Sequence, residues 1–252
     1  VTAASPALPA PVVRHRGRPA WRILASVVTL AALLWGTINV VNLLSHSEHH
    51  FSRTFTADGV TRIDVSTDRG SVRVIATERD DIRMSAYLSD GLGGTDHAAR
   101  RRGERLLIDG SCNFPIAYWC TASYTLRVPR DVKLVLWSGS GDVRVSGTTA
   151  DVDLTSQHGS VDATRLRSEV ARASSDHGSV GLRFARAPMQ VRAESAHGDV
   201  TVVLPRTGEA YRVDASSEQG STDTTVHTDS TARRSIDASS EHGDVTVRYP
   251  RR

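Results

Sequence analysis

Seven glycines constrain this chain more than any other feature. Gly70, Gly141, Gly159, Gly178, Gly198, Gly220 and Gly243 have matching surroundings, and from Gly141 onward they stand 18, 19, 20, 22 and 23 residues apart. Three residues before each lies a hydroxyl: Thr67, Ser138, Ser156, Ser175, Ser195, Ser217 and Ser240. Five before stand Val65, Leu136, Leu154, Ala173, Ala193, Ala215 and Ala238, and seven before stand Ile63, Leu134, Val152, Ala171, Val191, Val213 and Ile236. Two after stand Val72, Val143, Val161, Val180, Val200, Thr222 and Val245. Apolar residues at every second position on both sides of the glycine predict two strands, each with one buried face, joined by a tight turn. In QHGS, DHGS, AHGD, EQGS and EHGD the glycine is expected to supply φ > 0.

A period near twenty residues predicts a stacked array. The repeats fit either the coils of a β-solenoid, with equivalent strands pairing in parallel, or a row of hairpins in an antiparallel sandwich. The same residue type recurs at the same register, small Ala and Ser included. Like-on-like stacking accounts for that, so the reading is an all-β, β-helix-like stack of about twenty-residue repeats. The serine column, if inward, is expected to form a hydroxyl ladder that satisfies its own oxygens. Residues 76–130 break the register. Within them DIRMSAYL, RLLID and YTLRVP read as strands of irregular early coils, beside the glycine-rich SDGLGG, and ARRRGER (99–105) reads as a solvated loop or short helix. The polar repeat at 216–226 reads as the softest coil, and the last repeat, ending close to Arg252, leaves an edge that needs a cap or a partner.

Residues 23–44, ILASVVTLAALLWGTINVVNLL, carry no charge. At about 1.5 Å per residue, such a helix spans a hydrocarbon core of about 30 Å. The apolar run is longer than a signal peptide's, with no small-x-small cleavage site after it, so it reads as an uncleaved transmembrane helix. Arg14, Arg16, Arg18 and Arg22 precede it, and the next Lys or Arg after it is Arg53. The positive-inside rule places the N-terminus in the cytoplasm and residues 45–252 outside the cell membrane. The resulting division is a basic disordered tail at 1–22, a single-pass helix at 23–44, a juxtamembrane linker at 45–55 and an extracellular repeat domain at 56–252.

The formal net charge of +3 invites a nucleic-acid reading. Four of the basic residues belong to the N-terminal segment, which has no acid. The rest of the chain holds 27 basic and 28 acidic residues, so the outer part has no net positive field and nucleic acid is excluded as a partner on charge. A single lysine, Lys133, against 30 arginines is the bias of a GC-rich bacterial genome. Cys112 and Cys120 bracket CNFPIAYWC. Outside the membrane they allow one intramolecular disulfide, worth about 2–3 kcal/mol through loop closure.

The stretches VSTDRGSVRV, VPRDVKLVLWSGSGDVRVSG, LTSQHGSVDA, AESAHGDVTVVLP and ASSEHGDVTVRYP resemble a bacterial "putative adhesin" family, domain-of-unknown-function family 4097. The resemblance covers about residues 55–250. It implies a solenoid-like extracellular domain associated with the cell envelope and its stress responses. The family offers no catalytic residues to carry over.

Histidine is the main candidate for chemistry. His158, His177, His197 and His242 each directly precede the repeat glycine, and in a solenoid they form one column, interrupted by Gln219. Stacked imidazoles about 5 Å apart are candidates for sharing a metal or for repelling one another when protonated. The plainer alternative is that a polar residue simply suits the turn. The cluster HSEHH (46–50) offers loose metal binding or a solvated stretch. Asp142, Asp199 and Asp244 follow repeat glycines, where Ser71, Ser160, Ser179 and Ser221 stand in other coils. A calcium column there would need a denser Gly/Asp pattern. The chain lacks GxSxG, HExxH, a phosphate loop and a GxGxxG leading into a helix. The expected function is therefore a non-enzymatic, membrane-anchored surface module with no cofactor. It would bind a cell-wall polymer, an envelope protein or, through open solenoid ends, its own kind. The alternatives are an envelope-stress modulator acting through the helix and tail, and a glycan-active β-helix enzyme.

Overall fold

The computed structural model describes residues 18–44, 47–90, 95–112 and 120–251. The expectations for the N-terminal tail up to residue 17, for His46 and for most of SDGLGG lie outside these residues. Two compact units result, residues 1–44 and 45–252. The first contributes one helix, α1 (Arg18–Leu44), whose stretch Trp21–Val40 is long and apolar enough to cross a membrane. Its hydroxyls return to the helix backbone: Ser26 donates to the Arg22 carbonyl at 2.8 Å, Thr29 to Ala25 at 2.8 Å and Thr37 to Leu33 at 2.9 Å. Polar groups satisfied this way can sit in an apolar medium at little cost.

The second unit is all β. Its strands are β1 (Ser47–Thr56), β2 (Arg62–Arg69), β3 (Val72–Thr77), β4 (Asp81–Asp90), β5 (Thr95–Arg102), β6 (Arg105–Cys112), β7 (Thr121–Pro129), β8 (Lys133–Ser140), β9 (Val143–Ser146), β10 (Val152–His158), β11 (Val161–Leu166), β12 (Val170–Ser175), β13 (Val180–Phe184), β14 (Gln190–His197), β15 (Val200–Val203), β16 (Arg212–Ser217), β17 (Thr222–Thr224), β18 (Ser235–His242) and β19 (Val245–Arg248). They form a ten-stranded sheet, β1-β4-β7-β3-β9-β11-β13-β15-β19-β17, and a nine-stranded sheet, β16-β18-β14-β12-β10-β8-β2-β6-β5. Each coil gives one strand to each sheet, and the core lies between them. Pairing through the repeats is parallel and like on like: Leu154 lies between Leu136 and Ala173, and Val161 between Val143 and Val180. The alternating positions on the inner faces, from Ile63 and Val65 to Val245 and Val247, are buried, except in β16 and β17.

The glycines have a different reason from the one expected. Of the seven, only Gly70 and Gly141 have positive φ, at 140° and 149°. The column is instead built on contact between coils. A Cβ placed on Gly198 would lie 2.5 Å from the carbonyl oxygen of Gly178, and Gly141, Gly159, Gly178 and Gly243 each meet the glycine carbonyl of the coil beside them in the same way. Nor do the serines bond to one another. Ser138, Ser156, Ser175, Ser195 and Ser240 each donate to that same neighbouring glycine carbonyl at 2.8–2.9 Å. Glycine lets adjacent turns approach, and serine caps the carbonyl that the approach buries.

Three regions depart from the plain repeat. Residues 47–55 of the stretch expected as a linker belong to β1, antiparallel to β4, which is antiparallel to β7. ARRRGER is neither loop nor helix but the end of β5 and its turn into β6. These antiparallel strands close one end of the stack. At the other end, β18 docks on β14 and β19 on β15, while β16 and β17 lie outside them. The edge is therefore the polar penultimate repeat and not the final one. Its β17 is exposed throughout.

The closed end contains a buried polar contact. His97 Nδ1 lies 3.1 Å from the Tyr124 hydroxyl, which reaches the Asp109 carbonyl at 3.4 Å, and the Phe51 ring is 4.5 Å from the imidazole. Burial, then the nearby Asp109 carboxylate, pushes Tyr124 up to about 12. Burial, and secondarily the charge of Arg53, lowers the pKa of His97 below the ordinary 6.5. A lowered imidazole pKa means the fold favours the neutral ring. That stability is complete above pH 6.5 and is lost as pH falls through the folded value. The urea midpoint should fall between pH 7.5 and pH 5, and His97→Leu should flatten that dependence. A variant with the parent's slope would show that His97 does not carry it.

Candidate functional site

The turn edge gathers the residues singled out in the sequence. Because β18 packs against β14, His158, His177, His197 and His242 occupy four consecutive coils, and Gln219 lies beyond the end of the column rather than inside it. Adjacent imidazole centroids are 4.8 Å apart, with planes inclined by 8°, 5° and 4°. This is the strand spacing of the sheet carried out to the side chains. His158 Nδ1 approaches the Gly139 carbonyl at 3.2 Å and His197 Nδ1 the Asp176 carbonyl at 3.3 Å, so both rings are oriented by backbone of the next coil. The geometry stacks the rings but does not converge their nitrogens. An ion 2.0–2.1 Å from each of two nitrogens holds them at most about 4.2 Å apart. Imidazole lone pairs lie in the ring plane, and planes inclined by 8° or less with centroids 4.8 Å apart do not aim two of them at one such point. Among the described residues no group of three or more His, Cys, Asp or Glu is arranged to hold a metal. A zinc titration by calorimetry should give no micromolar site, and His177→Ala with His197→Ala should leave the isotherm unchanged. Micromolar heat abolished by that pair would contradict this geometry.

On the other side of the glycine, the Asp/Ser alternation has a simple cause. The Ser160 amide donates to Asp142 Oδ1 at 2.9 Å, the Asp244 amide to Asp199 Oδ1 at 2.9 Å and the Ser221 amide to Asp244 Oδ1 at 2.8 Å. Where the neighbour is serine its hydroxyl accepts instead, as Ser71 does from Asp142. Either residue type caps an amide of the adjacent coil. The Ser221 amide and then its hydroxyl hold the Asp244 carboxyl below the usual carboxylate range. Cys112 and Cys120 are joined as a disulfide, and the Cys112 amide donates to Asp68 Oδ2 at 3.2 Å.

Sequence reasoning missed a second cluster, on the outer face of the nine-stranded sheet near its closed end. Register places Arg102 opposite Arg105, Arg105 opposite Arg62, and Arg62 opposite Lys133. Their neighbours Ile63, Leu106 and Leu134 point into the core, so all four cations share the outer face. Like charges side by side destabilise a sheet. Among the described residues, only Arg62 of the four is ion-paired, with Asp64 at 2.6 Å. Next to this row a cleft of about 410 Å³ is lined by Asp64, Arg100, Arg102, Leu107, Asp109 and Trp137. Trp137 is half-buried, with small Ser66 and Thr155 on either side in register. Its Cη2 is 3.2 Å from where a Gly139 Cβ would be, so the indole lies along the strand over bare backbone. Arg100, Arg102 and Arg105 belong to the ARRRGER stretch, but no local motif announces the cluster, because Arg62, Lys133 and Trp137 join them only through pairing between strands distant in sequence.

Comparison with known proteins agrees with the fold. The model of the family described as Toastrack DUF4097 matches residues 131–248. The crystal structure of a "putative cell adhesion protein" from Clostridium sporogenes is similar with a TM-score of 0.51 at 12% identity, over 81% of this chain and 100% of that one. A "putative adhesin" from Bacteroides fragilis aligns with a TM-score of 0.47 at 16% identity, over 81% of this chain and 98% of that one. Among curated proteins none matches the sequence. The family match and the in-register coils coincide over the same stretch, so residues 131–248 are similar to the Toastrack DUF4097 family in both sequence and fold.

Proposed function

We propose that this protein is a non-enzymatic binding module held at the outside of a bacterial cell membrane by α1, and that its ligand is a polymer of the cell wall. The observation that carries this reading is the in-register parallel stack itself. It presents outward side chains at one constant strand spacing, coil after coil, on two broad outer faces, which suits an extended polymer better than a small substrate. The similar solved structures bear adhesion-related names, and α1 is suited to spanning a membrane. Arg14, Arg16, Arg18 and Arg22 at its start favour a cytoplasmic N-terminus with residues 45–252 outside.

Two experiments test the reading. Protease added to intact spheroplasts should digest the β unit, and protection of that unit would reverse the topology. The full chain in an uncharged detergent should co-sediment with purified bacterial sacculi. A chain that remains in the supernatant across physiological salt would overturn wall binding.

A further inference from the structure

We infer that the outer-face cleft around Trp137 is a binding site for an acidic polysaccharide, one whose sugar rings carry carboxylate or phosphate groups. The inference rests on the wall-binding reading and makes it specific. Two independent features converge on this chemistry.

The first is the indole. A sugar ring has an apolar face of C–H bonds and a polar rim. An aromatic plane lying flat on a sheet, clear on both sides, accepts that face. Ser66 and Thr155 leave the approach open, and the bare backbone at Gly139 lets the ring lie down. Asp64 and Asp109 line the same cleft and offer acceptors for hydroxyls at the rim. The cleft's 410 Å³ lies within the range of small-ligand sites.

The second is the cation row. Arg102, Arg105, Arg62 and Lys133 stand in register on adjacent strands, with Arg100 one row away opposite Leu107. Four neighbouring cations with one ion-pair partner among the described residues cost stability unless an anion joins them. Arginine holds carboxylate or phosphate oxygens in paired hydrogen bonds. A neutral glycan would leave the row unused, and a bare polyanion would leave the indole unused. A charged sugar chain engages both.

The test uses the full chain in an uncharged polyoxyethylene detergent and three probes: polygalacturonate, dextran and inorganic polyphosphate. Polygalacturonate should bind and weaken as salt rises. Trp137→Ala and Arg105→Ser should each weaken it about tenfold, while Trp137→Phe keeps most of the affinity. Each variant should still unfold in one cooperative urea transition, and Arg105→Ser should have a midpoint no lower than the parent's, since it relieves the like-charge row. Polyphosphate that binds in a Trp137-dependent manner would show that the indole serves something other than a sugar face, and would overturn the polysaccharide site. Dextran binding as well as polygalacturonate, or polyphosphate binding regardless of Trp137 with polygalacturonate unaffected by either substitution, would overturn the site. Sacculus binding that survives both substitutions would place the wall contact elsewhere and leave the function standing.

Discussion

Gly178→Ala should cost about 3 kcal/mol, the upper end of what an extra methyl in a packed site usually costs. The added Cβ meets the Gly159 carbonyl and the Ser160 amide, which are backbone atoms held by the ladder and unable to swing aside as a side chain would. Moving that carbonyl would also disturb the 2.8 Å bond it accepts from Ser175. Gly181→Ala is the matched control, three residues away. A Cβ there meets Asp162 Oδ1 at an ordinary 3.4 Å, so the change should be neutral or stabilise by about 0.5 kcal/mol through the unfolded state. Urea midpoints of the two variants decide the matter. If Gly178→Ala proved as mild as Gly181→Ala, close approach between turns would not be the reason for the column. For a domain whose stability is typically about 5–15 kcal/mol, the expected loss is a large fraction of the whole.

Leu154→Ala should be larger still, about 4 kcal/mol, because its site has little means of collapsing. Leu154 is fully buried, and across the core its coil supplies the small Ala163. The next coil reverses the arrangement, with Ala173 on one sheet and Leu182 on the other. Between these two coils core volume at these positions is thus conserved through an exchange of large and small residues between sheets. Ala163→Leu alone should overpack and cost about 1–3 kcal/mol. The double variant should regain about half of the Leu154→Ala loss, measured as a coupling energy by denaturation. Strict additivity would mean that the two positions do not share a space.

The register columns made much of the fold legible. Val at two positions after glycine and Leu or Ala five before fixed which faces are buried, and identical residues at identical positions pointed to parallel stacking. The reason for the glycines was not legible, because φ and close approach leave the same residue in the sequence. Strands β4 to β7 were only partly legible: the apolar alternation of Tyr124, Leu126 and Val128 shows a strand, but nothing in it tells antiparallel from parallel partners. The histidine column was expected with a gap at Gln219, since chain order was the only available guide to coil order. Trp137 and its cations were invisible as a group, because Arg62, Arg105 and Lys133 meet only through pairing between distant strands.

The exchanged order of the last two coils bears on how the chain reaches its native state as it emerges from its N-terminus. Most coils from β8 to β15 can add to the stack as soon as they appear, since each partner lies about twenty residues back and loop closure is short. At β16 that rule stops. Its native neighbour β18 has not yet been made, and the growing end formed by β14 and β15 stays open until residues 235–248 arrive to fill it. Completion of the stack waits for β18 and β19, and a chain released before them leaves β14 and β15 without those partners. Proteolytic sensitivity of such truncated chains, confined to their C-terminal end, would be the signature of this delay.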